Sequence, residues 1–203
     1  MKKGLFIAIY GVNNIGKSTH AKLLVERMKK AGYPVVYLKY PLYELEPTGP
    51  QLNGILRAGK TQTISEYELQ KLFAANRMAF QPQLTKMLQE GTIIVAEDYT
   101  GTGFAWGMAK GLTRDVMENL NKDLIKEDFA ILLIGKRDIR AKEKHHIHEE
   151  NDQLIQNVSK IFIQLAGEYN WTKVEIQPSI ETTAKLVWNA VEGFLKGNNN
   201  VEI

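Results

Sequence analysis

The residues best suited to chemistry lie near the start of the chain. Gly11-Val12-Asn13-Asn14-Ile15-Gly16-Lys17-Ser18 has the G-x-x-x-x-G-K-[ST] spacing of a loop that cradles phosphates. Glycines there let the backbone wrap closely, so that successive N–H groups point inward at an anion. A helix N-terminus adds its positive end. Lys17 then reaches the β- and γ-phosphates of a nucleoside triphosphate, and the Ser18 hydroxyl holds Mg²⁺. The signal names a donor and is silent about the phosphoryl acceptor.

Other constellations are less specific alone. Phe73 and Arg77 are four residues apart, so one helical face presents both a ring and a guanidinium. On spacing alone, the alternative is a core phenylalanine beside a solvated arginine. Glu97 and Asp98 end the apolar run Thr92–Ala96, and a carboxylate at the carboxyl end of a parallel strand sits in the ligand crevice. Such a pair could place Mg²⁺ or orient an acceptor; a structural role for one of them is the alternative, because side chains alternate faces along a strand. Arg140, Lys142 and Lys144 belong to a basic run from Lys136, which on its own reads as a solvated charged helix. His145, His146, His148 and Glu149 are clustered, but neighbours this close do not converge on one ion without supporting geometry. A place in a lid or on the surface is the better assignment.

These groups need elements to hold them. The phosphate loop requires a strand before it and a helix after it. Leu5–Tyr10 is a short apolar run, and Lys17–Lys30 carries Ala21, Leu24, Val25 and Met28 on one stripe, closed by Gly32. Pro34–Leu38, Thr92–Ala96, Phe129–Ile134 and Lys173–Ile176 read as further strands. Residues 40–50, with Pro41, Pro47, Gly49 and Pro50, read as a loop, followed by a short helix through Leu52, Ile55 and Leu56. A long helix spans Ser65 to Gln89, where Ser65 and Glu68 fit a capping box. Helices are also predicted over Asp152–Tyr169 and Ile180–Leu195. Strands alternating with helices give an α/β fold, a five-stranded parallel sheet with helices on both faces. No repeat or linker divides it, so residues 1–203 form one domain, with a frayed tail at about 197–203.

Composition sets the outer limits. Of 203 residues, 44% are apolar and 24% charged, an ordinary globular balance. The formal net charge is +3, too small to argue for a nucleic-acid polymer or a membrane surface as partner. The chain has no cysteine, which excludes disulfides, thiolate metal sites and a cysteine nucleophile. No apolar run approaches the roughly 20 residues of a membrane span. The opening Met1-Lys2-Lys3 leads into an apolar stretch too short for a secretory signal, so the expected compartment is the cytoplasm.

Read together, four segments resemble the thymidylate kinase family of P-loop NTPases: Gly11–Thr19, Leu72–Arg77, Val95–Gly103 and the basic run after Ile134. The resemblance implies transfer of the γ-phosphoryl group of MgATP to dTMP. The alternatives are a kinase of another nucleoside monophosphate and a non-catalytic nucleotide-binding module. It implies ATP contacts along the loop, at Gly11, Asn13, Asn14, Ile15, Gly16, Lys17, Ser18 and Thr19, with Mg²⁺ at Ser18 and Glu97. In such kinases a phenylalanine at the place of Phe73 stacks on thymine and an arginine at that of Arg77 holds the acceptor phosphate. Asn13, Arg57, Tyr99, Thr102 and Trp106 are the further implied acceptor contacts. Lys17, Glu97, Asp98 and Arg140 are the implied catalytic groups, Arg140 coming, with Lys142 and Lys144 as further candidates, from an implied lid at about 136–150 that brings basic residues over the phosphates. The chain departs from the usual pattern where Asn13 replaces an acid and Asp98 an arginine, and in lacking an arginine near Tyr43. A homodimer paired through the long helices is also implied by the resemblance.

Overall fold

The computed structural model describes residues 4–57, 62–136 and 152–197 of the protein. Five short strands, β1 (Phe6–Tyr10), β2 (Val35–Lys39), β3 (Ile93–Glu97), β4 (Phe129–Ile134) and β5 (Thr172–Glu175), pair in parallel in the order β2-β3-β1-β4-β5. Strands β1 and β3 are buried along their whole length. Such a central strand must be apolar on both faces, and Phe6, Ile7, Ala8 and Ile9 meet that demand with no exposed surface. Each large aliphatic side chain buried this way contributes about 1.5–3 kcal/mol.

Helix α1 (Lys17–Lys30) and α7 (Ile180–Gly197) pack together on one face. The other face is covered by α3 (Glu66–Gln89), α4 (Thr100–Ala109), α5 (Arg114–Asn121) and α6 (Asp152–Glu168), while α2 (Thr48–Arg57) lies on α3. The predicted capping box is present: the Glu68 amide donates to Ser65 Oγ at 3.2 Å and the Ser65 amide to Glu68 Oε2 at 3.0 Å. Helices α4 and α5 are the elements the sequence pattern did not indicate. The sequence of α4, TGTGFAWGMA, is rich in glycine and poor in helix propensity. Tertiary packing overrides that: a Cβ on Gly101 would stand 2.5 Å from the Trp171 ring and 2.9 Å from that of Tyr10.

All five strands run the same way, so their carboxyl ends share one edge of the sheet. The strand order switches sides at β1, with β2 and β3 added on one side and β4 and β5 on the other, and the crevice at such a switch point is where ligands bind in open α/β sheets.

Candidate active site

A cleft of about 540 Å³ opens on that edge, and the segment following every strand contributes to its wall. Asn13 to Thr19 come from the loop after β1 and the first turn of α1, Lys39 and Tyr40 from the end of β2, and Glu97 and Asp98 from the end of β3. Lys136 follows β4, and Gln177 and Pro178 follow β5. Phe73 and Arg77 of α3, Thr102 and Trp106 of α4, and Arg57 of α2 close the far side.

The loop has the backbone its chemistry needs. Gly16, at the start of α1, has φ +96 and Asn14 φ +64, conformations in which consecutive amides turn inward. Gly11, at φ +149, has no room for a side chain, because a Cβ would lie 2.8 Å from Ile15 and 3.0 Å from the Leu133 carbonyl. Among the described residues no side chain caps α1, which leaves its first amides for an anion. The Lys17 ammonium is folded back over the loop, donating to the carbonyls of Gly11 (2.9 Å) and Val12 (3.1 Å) and lying 3.8 Å from Asp98 Oδ1.

Glu97, 3% exposed, is the hub opposite. Ser18 Oγ donates to its Oε1 at 2.7 Å, the Tyr37 hydroxyl donates to Oε2, and Lys39 Nζ lies 3.1 Å from Oε1. Burial pushes the Glu97 carboxyl up. The Tyr37 hydrogen bond, the Lys39 ammonium, the Ser18 hydroxyl and Lys17 outweigh it and hold the group below the usual carboxylate range. Asp98 behaves oppositely: burial raises it, against the pull of Lys17 and a 2.7 Å hydrogen bond from Thr102 Oγ1. Its backbone is left-handed, with φ +61.

These residues suit Mg²⁺, which keeps several waters and uses one or two carboxylates beside substrate phosphates. A hydroxyl and a buried carboxylate already within hydrogen-bond reach of each other, Ser18 and Glu97, face the cleft. Among the described residues no cluster of three or more histidine, aspartate or glutamate side chains could hold a metal by itself.

The acceptor side divides into two. Phe73 is half-buried and faces the cleft, as do Trp106, Thr102 and Asn13. Arg57 sits at the rim with its guanidinium 5.3 Å from the Tyr43 ring. Arg77 is 5% exposed, and its Nη2 donates to the Tyr99 carbonyl at 2.9 Å and Nη1 to Asn121 at 3.3 Å. Its Nε has no partner. So Arg77 faces the cleft while also pinning the turn between β3 and α4. Tyr99 is placed elsewhere: fully buried, its ring edge-on to Phe6 at 4.8 Å, it lies beneath the cleft rather than on its wall. The left-handed Asp98 before it turns the chain, and Tyr99 follows the core.

Lys39 on the wall, and Tyr37 and Asn76 behind it, carried no signal in the sequence. Lys39 and Tyr37 reach Glu97 because β2 pairs with β3 in a register that sets Lys39 beside Glu97. Asn76, fully buried, bonds both the amide and the carbonyl of Leu42 and the Thr48 hydroxyl, fixing the loop after β2. Arg140, Lys142, Lys144, His145, His146, His148 and Glu149 lie outside the described residues, as does the chain beyond 197.

The family model described as thymidylate kinase matches residues 9–187. Human thymidylate kinase is 29% identical over 185 residues, spanning 89% of this chain and 86% of the human protein. A "Probable thymidylate kinase" of Thermococcus onnurineus is 33% identical over 185 residues, spanning 81% of this chain and 85% of its own. The solved thymidylate kinase of Candida albicans has the same fold, with a TM-score of 0.75 at 22% identity, covering 98% of this chain and 94% of that one. Every residue on the cleft wall, from Asn13 to Thr183, falls inside the matched span, and on that span the chain belongs to the thymidylate kinase family.

Proposed function

We propose that this protein transfers the γ-phosphoryl group of MgATP to dTMP, giving ADP and dTDP. The observation that carries the reading is the cleft itself, which runs unbroken from the phosphate loop to the Phe73, Arg77 and Trp106 wall. An acceptor phosphate oxygen attacks the γ-phosphorus while the bond to the bridging oxygen of the leaving ADP breaks. Such transfer needs little covalent help from protein; positioning and charge neutralisation dominate. Lys17 exchanges its carbonyl partners for β- and γ-phosphate oxygens, beside the open amides of α1. Ser18 and Glu97 are the groups that would hold Mg²⁺, which neutralises phosphate charge when bound.

At the acceptor end, Phe73 and Trp106 offer faces to a base, and Arg77 and Arg57 offer positive charge to its phosphate. Asn13 and Thr102 supply neutral hydrogen-bonding groups. Arg140 and the lid, outside the described residues, would exclude water and complete the charge. The homodimer belongs to the same reading and rests on the resemblance, and a cytoplasmic location is the compartment expected for it; no described helix is long and apolar enough to cross a membrane.

Asp98, a carboxylate on the acceptor side of the cleft where the resemblance places an arginine, favours one second reading, a different nucleoside monophosphate as acceptor. ADP release measured across a panel of nucleoside monophosphates decides. Preference for dTMP supports the proposal, preference for another moves the substrate, and no stimulation by any acceptor refutes the kinase reading.

A further inference from the structure

Lys39 ends β2, and its register partner on β3 is Glu97. Its Nζ lies 3.1 Å from Glu97 Oε1 and 3.4 Å from Ser18 Oγ. Those are the two groups assigned above to the divalent ion, and they are 2.7 Å from each other. A positive charge therefore already stands against both. Lys17 does not fill this place, since its ammonium is turned to the carbonyls of Gly11 and Val12 and towards Asp98. The remaining oxygen of Glu97 is taken by the Tyr37 hydroxyl.

The mobility of the two nearby cations differs. Arg77 is buried and tied to Tyr99 and Asn121. The Lys39 side chain is 49% exposed and lines the cleft. A four-carbon stem ending in three rotatable donors can swing without unfolding anything. A buried carboxylate such as Glu97 needs a countercharge whenever it is ionised, and an ammonium and a dication within about 4 Å of one another repel strongly. Only one of them can stand against Ser18 and Glu97 at a time.

We propose that the Lys39 ammonium is the resident cation of the metal position in the nucleotide-free protein. It yields that position to the divalent ion that arrives with nucleotide and moves onto phosphate oxygens in the cleft. The second half of this statement rests on the kinase reading; the competition between lysine and metal does not. Lys39 thereby keeps Glu97 paired in the empty protein and discourages free metal from loading ahead of nucleotide. In the absence of metal it supplies positive charge to the phosphates.

The test uses Lys39→Met, which keeps the stem and removes the charge, with Lys39→Arg as the charge-preserving control. Mn²⁺ is titrated into nucleotide-free protein and the free ion followed by electron paramagnetic resonance. Lys39→Met is expected to bind Mn²⁺ about tenfold more tightly than the parent, and Lys39→Arg to stay close to it. In parallel, a fluorescent ATP analogue is titrated in EDTA. Lys39→Met is expected to lose about tenfold or more in affinity there, as for removal of a charged hydrogen-bond donor, and much less when Mg²⁺ is present. Unchanged Mn²⁺ affinity in Lys39→Met overturns the proposal, and so does unchanged affinity for the metal-free nucleotide. If the parent protein binds no nucleotide, the kinase reading fails while the Mn²⁺ titration still decides the competition. Should Lys39→Met not fold, Lys39→Gln carries the same two measurements.

Discussion

Glu97→Gln separates a functional carboxylate from a structural one, and the structure sets the size of each effect. Glutamine has nearly the same shape and keeps an acceptor oxygen for Ser18 or Tyr37, but it offers no charge to Lys39. Converting charge-assisted hydrogen bonds to neutral ones costs about 1 kcal/mol each. The Lys39 pair is discounted to about 0.5 kcal/mol, because its lysine side is half exposed and screened. Relief from desolvating a charge offsets part of this, leaving a net loss of about 1–2 kcal/mol at neutral pH. For a chain of this size that lowers the melting temperature by roughly 3–6 °C.

The loss should depend on pH in a fixed direction. The folded-state pKa of Glu97 is lowered, with burial opposing and Tyr37, Lys39, Ser18 and Lys17 prevailing. A lowered carboxyl contributes stability that is present above its unfolded value and disappears as pH falls through its folded value. The gap between parent and variant is therefore full at neutral pH and closes below the ordinary glutamate range. Turnover should fall about 10–100-fold, with a raised Mg²⁺ requirement, as when a metal loses a supporting group. ADP release against Mg²⁺ concentration and melting curves at neutral and acid pH measure both. A Mg²⁺ curve that superposes on the parent's, with a melting gap indifferent to pH, would refute the reasoning.

Lys17→Ala should lower turnover by about 10²–10³ in a single-turnover assay, because the residue neutralises the transferring group, while circular dichroism stays native. Phe73→Ala should raise the acceptor KM by roughly 1–3 kcal/mol worth of lost stacking. Its melting temperature should change little, because the ring is half-buried on the cleft rather than in the core; a variant that mainly unfolds would return Phe73 to the core. Glu127, which accepts the Tyr10 hydroxyl at 2.8 Å, has its carboxyl raised chiefly by burial, so its contribution is present in acid and lost as pH rises through the folded value. Glu127→Gln should therefore melt higher than the parent at neutral pH and alike in acid; an equal gap at both would contradict the assignment.

What could be read from the sequence divides along the range of the interactions involved. The strand–loop–helix around Lys17 is local, since its glycines, lysine and serine act within eight consecutive residues, and the structure reproduces it. The capping box at Ser65 is local too, and α3 begins where it predicts. Helix α4 escaped notice because Gly101, Gly103 and Gly107 argue against a helix one residue at a time, whereas their reason is distant. Their missing side chains make way for Trp171, Gln70 and Met117. The same logic governs the site. Spacing could not tell whether Phe73 faces the core or a ligand, because that depends on where α3 lies relative to the loop. Lys39 and Tyr37 were invisible as partners of Glu97, because a parallel register joins residues almost sixty apart in sequence. Tyr99, an acceptor contact by resemblance, lies in the core beneath the cleft, where the chain turns at the left-handed Asp98. The acidic pair at 97 and 98 reads in sequence as a repulsive anomaly beside phosphates. In three dimensions each carboxylate has its own lysine, Lys39 for Glu97 and Lys17 for Asp98. The departure at Asp98 is therefore electrostatically answered within the chain, so the acidic pair is compatible with a site that must still accept two sets of phosphates.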